Sequence, residues 1–234
     1  MRVYGLLVIL ILFIYCICLN SYSEQINSPD TQGHVTPDLL NSDQPVHFDI
    51  VSDGSMVEFE GKSFMHHFEG TSHSVTGFTK GPFNSAVLTG CEITIPIESI
   101  EGKALGKSRD DLTRNIHENL EYDKYPNIEF KLIRAEPYRN VDLNSGTGDY
   151  MIEGDLTIHN QTRRILFPVN MEIKNGYLHF TGRYDQLNVR DFGVEPKPLM
   201  AFIKVGDKVD VKFDIYEDVT SGKESPEQSA KSTE

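Results

Sequence analysis

Stretches in which every second residue is apolar run through this sequence from residue 87 to residue 215, and they restrict its fold more than any other feature. Val87, Thr89, Cys91, Ile93, Ile95 and Ile97 alternate with Leu88, Gly90, Glu92, Thr94 and Pro96. Ile128, Phe130 and Leu132 alternate with Glu129 and Lys131, and Tyr150, Ile152, Gly154, Leu156 and Ile158 with Met151, Glu153, Asp155 and Thr157. Ile165, Phe167, Val169, Met171 and Ile173 form the next series, and Val209, Val211, Phe213 and Ile215 the last. Successive side chains of a strand point to opposite faces, so each run reads as a strand with one buried face.

Further strands are expected at 47–51, 55–60, 63–68, 73–80 and 176–184, joined by short turns such as Lys174-Asn175-Gly176 and Asn144-Ser145-Gly146. An Asn-Gly step between alternating runs is a strong hairpin signal. The expected architecture is an antiparallel meander, all-β in class. A long meander must hide its two edges and bury one continuous apolar face, and closing into a barrel does both. At about eight strands, the interior either fills with side chains or holds one ligand.

One helical excursion interrupts the strands, at about 108–121. Ser108 is the expected N-cap, Asp110 and Asp111 fall in the first turn where the helix dipole favours negative charge, and Leu112, Ile116 and Leu120 form one apolar stripe. Tyr125-Pro126 stops the helix ahead of the next strand.

The folded unit is expected to span 46–218. Before it, Arg2 precedes an apolar run from Val3 to Leu19, and Ser21 and Ser23 stand at the −3 and −1 positions of a cleavage site before Glu24, so residues 1–23 read as a signal peptide. An uncleaved N-terminal anchor is the alternative, since the run approaches the length of a membrane span. Residues 24–45 read as a polar linker and 219–234 as a disordered polar tail. Removal of the signal leaves Cys91 as the single cysteine, so no intrachain disulfide is available, and its place in VLTGCEITIPI marks a small core residue rather than a nucleophile.

The chain carries 22 Lys and Arg against 35 Asp and Glu, a formal charge of −13. Such a surface repels nucleic acid and anionic lipid headgroups, which require clustered cations.

Two concentrations of polar residues could support chemistry. SRDDLTRNIHENLEYDKYP, at 108–126, contains Arg109, Asp110, Asp111 and His117, the residue types of general acid-base catalysis. A capped helix accounts for all of them, and the chain has no G-x-S-x-G nucleophile elbow. SFMHHFEGTSHSVTGFT contains His66, His67, His73 and Glu69, but adjacent histidines on a strand face opposite sides, so at most one of the pair can join His73 around a metal. Neither catalytic residues nor metal ligands are assigned, and the expectation is a protein that is not an enzyme.

Five ordered segments carry a family resemblance: HSVTGF at 73–78, RDDL at 109–112, KYPNIEF at 124–130, GDLTIHNQTR at 154–163 and VRDFGV at 189–194. Together they resemble the YceI-like family of exported polyisoprenoid-binding proteins, over roughly residues 46–217. The chain departs from the family at Asn160, where a glycine is usual; asparagine tolerates a positive-φ turn, so the hairpin His159-Asn160-Gln161-Thr162 is expected to persist.

The resemblance implies a closed, lipocalin-like barrel with a long apolar pocket for a polyisoprenoid or similar lipid, and no cofactor beyond that ligand. The expected lumen residues are Val87, Ile93 and Ile95, then Phe130 and Leu132, Ile152 and Leu156, Phe167 and Val169, and Val211 and Phe213. The implied role is carriage, storage or sequestration of the lipid in the periplasm or outside the cell. The membrane enters only as the source of ligand or through the uncleaved anchor, and a homodimer stays open. The competing reading is a solid-core barrel, filled by the same side chains, that acts as a structural or interaction module.

Overall fold

The structure is a computed structural model, and it describes residues 35, 46–63, 67–81, 88–142, 146–196 and 205–219. The N-terminal apolar segment, His66, Val87, Asn144, Ser145 and the C-terminal tail lie outside the described residues. Among the described residues, eleven strands and one α-helix follow in the order β1 (Val46–Ser63), β2 (His67–Ser72), β3 (Thr76–Gly81), β4 (Gly90–Pro96), β5 (Glu101–Ala104), β6 (Lys107–Ser108), α1 (Asp110–Asn119), β7 (Asn127–Asp142), β8 (Thr147–Ile158), β9 (Gln161–Lys174), β10 (Tyr177–Asn188) and β11 (Val205–Val219). Single 3₁₀ turns occupy Ile97–Ser99 and Val189–Phe192.

The strands pair as β1-β3-β4-β7-β8-β9-β10-β11, and β11 returns to pair with β1, which closes an eight-stranded antiparallel barrel. Closure leaves no free edge around the barrel, the constraint that favours a ring for a meander. At one end β2 continues the wall against the second half of β1, with β5 on β2 and β6 on β5.

The segments expected separately at 47–51 and 55–60 are one strand broken by a bulge. Its first half pairs with β3 from Val46↔Gly81 to Asp49↔Phe78, its second with β2 from Val57↔Ser72 to Lys62↔His67, and the register against β11 shifts between Val51 and Met56. Gly54 takes φ +93° inside the bulge. Ser55, fully buried, mends the interrupted ladder: its Oγ donates to the Val51 carbonyl (2.5 Å) and accepts from the Tyr216 amide (3.0 Å).

Two hairpins follow the turn chemistry of their sequences. His159 and Asn160 take φ of 51° and 56° between the paired Ile158 and Gln161, so Asn160 does occupy the left-handed region where a glycine would be easier. Asn175 and Gly176, with φ of 54° and 84°, turn β9 into β10.

The helix is shorter at its start than expected, and Ser108 is not its N-cap. Ser108 pairs with Lys103 at the end of β6, so its backbone belongs to the sheet, and Arg109 becomes the N-cap, in extended conformation and without a side-chain cap bond. The Arg109 amide donates to the Gly102 carbonyl (2.9 Å), and the Gly102 amide donates to Thr113 Oγ1 (2.8 Å), which ties the first turn to β5. Asp110 and Asp111 fill the first turn as the dipole argument requires. Leu112 and Ile116 are buried against Phe68, Ile97 and Ile100, with Leu120 packed beside them. Thus α1 covers the barrel end at which β4, β8 and β10 finish.

At the opposite end Phe48, Tyr150, Met171 and Leu178 are buried together. Val35, from the stretch read as a polar linker, joins them at 3% exposure, with its amide donating to the Gly176 carbonyl (2.6 Å).

Candidate functional site

The inward faces of the barrel strands pack into one apolar cluster that also lines two chambers, with about 940 Å³ and about 1030 Å³ of space when the part open to solvent is included. Val57, Ile95, Leu156, Leu187 and Val211 line both chambers, so the two are neighbours that share one ring of apolar side chains.

Ten of the eleven residues expected to line the lumen do so. Ile93 and Ile95 enter from β4, Phe130 and Leu132 from β7, Ile152 and Leu156 from β8, Phe167 and Val169 from β9, and Val211 and Phe213 from β11. The eleventh, Val87, lies outside the described residues. The alternation places these ten on one face of their strands, and barrel closure brings the five strands around one space.

The middle of the lumen is aromatic. Phe167 meets Phe130, Tyr184 and Phe213 edge to face, at centroid separations of 5.7, 6.1 and 5.8 Å. Two of these rings lie against the barrel wall because the wall beneath them is glycine. A Cβ on Gly154 would stand 2.2 Å from the Phe130 ring, and one on Gly182 would stand 2.2 Å from the Phe213 ring.

The second chamber is roofed by α1. Leu112, Ile116 and Leu120 give it apolar surface, and Asn115 and Asn119 give it amide groups, linked by Asn119 Nδ2 donating to Asn115 Oδ1 (2.8 Å). The first chamber ends instead on Thr79, Cys91 and Glu217. Glu217 is 1% exposed; Thr79 Oγ1 donates to its Oε1 (2.8 Å), while its Oε2 has no hydrogen-bond partner. Burial, with the charge of Asp49 adding to it, pushes the Glu217 carboxyl up to about 8, so it is mostly neutral at pH 7. No lysine, arginine or histidine lines either chamber among the described residues.

The polar clusters weighed as chemical sites are structural in their contacts. Arg109 holds Asp111 through two bonds, Nε to Oδ1 (3.0 Å) and Nη2 to Oδ2 (2.7 Å), on an exposed surface. His117 Nε2 meets the Ile100 carbonyl (3.0 Å), which anchors α1 to the end of the 3₁₀ turn. His67 pairs with Glu60 on the outside, and His73 Nδ1 meets the Ser55 carbonyl (3.2 Å). Among the described residues, no group of three histidine, cysteine or acidic side chains is placed to hold a metal. Cys91 lies on the lumen wall, and desolvation by burial pushes its thiol up to about 12, which disfavours the nucleophilic thiolate.

Sequence reasoning missed Val57 at the bulge, Tyr184 and Leu187 on β10, and Glu217. Glu217 carried a usable signal: it follows Val209, Val211, Phe213 and Ile215 at the same spacing, so strand parity alone turns it inward.

A family model described as the YceI-like domain matches residues 48–216. Among solved structures, BcnA of Burkholderia cenocepacia is similar at 19% identity and a TM-score of 0.58, over 74% of this chain and 99% of that one. A structure described as a polyisoprenoid binding domain from Saccharophagus degradans, implicated in plant cell wall breakdown, is similar at 11% identity and a TM-score of 0.55, over 76% of this chain and all of that one (100%). No curated protein matches the chain. At these identities the two structures speak for the shared fold.

Proposed function

The chain belongs to the YceI-like family, and from that premise we propose that its barrel binds a polyisoprenoid or similar long-chain lipid in the lumen. The observation that carries the proposal is the adjacency of two apolar chambers that share Val57, Ile95, Leu156, Leu187 and Val211. Two apolar chambers side by side suit an extended chain better than a compact molecule. Each ~100 Å² of hydrocarbon withdrawn from water contributes about 2.5 kcal/mol, so such a chain needs few polar contacts to be held. The solid-core alternative is disfavoured because its premise is a filled interior.

The role is binding rather than catalysis. Among the polar side chains weighed as acid-base or metal groups, Arg109 and Asp111 pair on the surface, His67 pairs with Glu60, and His73 and His117 meet backbone carbonyls. The apolar run from Val3 to Leu19 supports a place of action outside the cytoplasm, where the protein would carry or sequester its lipid.

The shared wall of the two chambers gives the test. Leu156→Trp adds bulk at their junction without adding charge. A fluorescent naphthylamine probe should bind the unmodified protein, be displaced by a long-chain polyprenol, and bind the variant at least tenfold more weakly while circular dichroism is unchanged. Equal probe binding by both proteins, or no displacement by polyprenol, would contradict a lumenal site.

A further inference from the structure

The first chamber ends on a buried carboxyl group rather than on hydrocarbon. Glu217 comes from β11, Thr79 from β3 and Cys91 from β4, strands that meet at the lumen end opposite α1. Their surroundings are apolar: Phe48 and Leu178 are fully buried nearby in the ladder, opposite Val219 and Glu217 respectively. An acidic side chain 1% exposed at the end of an apolar cavity has no role in holding the barrel together that a leucine would not fill better.

The hydrogen bonding orders the two carboxyl oxygens. Thr79 Oγ1 donates to Oε1, which therefore acts as the carbonyl oxygen, and a carboxylic acid then carries its proton on Oε2. Oε2 is buried without any partner, on a residue that lines the lumen. A buried donor left without an acceptor is unfavourable, and a ligand that accepts from it removes that penalty.

The charged groups that act on Glu217 and Cys91 make this end unreceptive to an anion, although Asp49 is itself paired with His47 on the outside (3.1 Å). Asp49 on β1 acts on Glu217 with its negative charge, and Glu217 and Glu92 act likewise on Cys91. Thr79 is neutral, and no cation lines either chamber among the described residues. A phosphate or carboxylate placed here would lack a counter-charge in a medium of low polarity.

We propose that Glu217 is a ligand-binding residue: as a neutral acid held by Thr79, it donates a hydrogen bond from Oε2 to an uncharged oxygen, a carbonyl or an alcohol, at the inner end of the lipid. The inference rests on the lumenal binding proposed above and adds a chemical class for the buried end of the ligand. Phosphorylated chains are excluded from that end. Ionisation of Glu217 removes the donor, so binding of a ligand whose oxygen accepts from Oε2 weakens as pH rises through about 8.

The test compares three probes of one chain length: geranylgeraniol, geranylgeranyl monophosphate and the corresponding hydrocarbon without oxygen. Affinities are measured at pH 6.5 and pH 9 for the unmodified protein, Glu217→Gln and Glu217→Leu. At pH 6.5 the unmodified protein should bind the alcohol about tenfold more tightly than the hydrocarbon or the monophosphate, the worth of one well-made hydrogen bond. Glu217→Leu should bind alcohol and hydrocarbon equally. Glu217→Gln, which keeps an N–H donor, should retain the preference and lose its pH dependence. The C=O band of the protonated Glu217 carboxyl in the infrared spectrum should shift when the alcohol binds. An alcohol preference that survives in Glu217→Leu, or a preference for the monophosphate, overturns the assignment of Glu217 while leaving a lumenal lipid site intact. Failure of the unmodified protein to bind any of the three overturns both.

Discussion

At residue 217 the alternation of β11 delivers a carboxyl group where the preceding inward positions carry Val209, Val211, Phe213 and Ile215. Its protonation links fold stability to pH in a definite direction. The folded value of about 8 lies above the ordinary 4.5, so the folded state holds a proton that the unfolded chain has lost throughout that interval. Stability from this group is complete below pH 4.5 and declines as pH rises to about 8. Glu217→Gln removes the titration, so its stability relative to the parent should increase by a few kcal/mol between these limits, as read by urea denaturation at several pH values. A constant difference would place the carboxyl in a wetter setting. Glycine 182 illustrates the opposite kind of residue, one that matters for what it lacks. Gly182→Ala puts a methyl group 2.2 Å from the Phe213 ring, which must leave the wall; the variant should lose about 1–3 kcal/mol, and Phe213→Leu should restore much of it. Neither effect is conspicuous in the sequence: a glutamate in a run of Asp, Tyr and Glu looks solvated, and a glycine in a strand does not name the ring that covers it.

Among the elements, the strands were legible and their joins less so. Period two marks β4, β8, β9 and β11 because each has one wall facing the lumen and one facing water, and the outer face of β7, β8 and β9 accordingly carries ion pairs such as Arg134 with Glu153 and Arg164 with Asp155. The pattern fails where register shifts. On β7 the ladder slips between Leu132 and Arg134, which leaves Ile133 42% exposed and returns Ala135 toward the core. On β1 the bulge made one strand read as two, because Ser52, Asp53, Gly54 and Ser55 have the composition of a turn. That bulge depends on Ser55. Ser55→Ala leaves the Tyr216 amide without its acceptor in a buried setting, so it should destabilise by about 1–3 kcal/mol and speed hydrogen exchange at Tyr216. Unchanged exchange there would mean that the ladder closes without the hydroxyl. For α1, the apolar stripe was read correctly but the cap was not, since only the structure reveals that Ser108 is already engaged in β6.

For the whole molecule, barrel closure converts five separate alternating runs into one wall, a long-range event that no local pattern encodes. The lining residues could therefore be chosen from strand parity, while the existence of an empty lumen could not, because Val, Ile, Leu and Phe fill a core as readily as they line a cavity. Here the glycines beneath Phe130 and Phe213 and the roof supplied by α1 keep space inside rather than close it. The chain is strongly acidic overall, at −13, and among the described residues the lumen is apolar with a single carboxyl group at its end, which is why the proposed recognition is directed inward. Lipid extraction and native mass spectrometry of the protein purified from its own host test this account most directly. The account predicts a stoichiometric long-chain lipid with an uncharged oxygen at one end, released on denaturation. A homogeneous ligand-free protein that takes up no added polyprenol would contradict it.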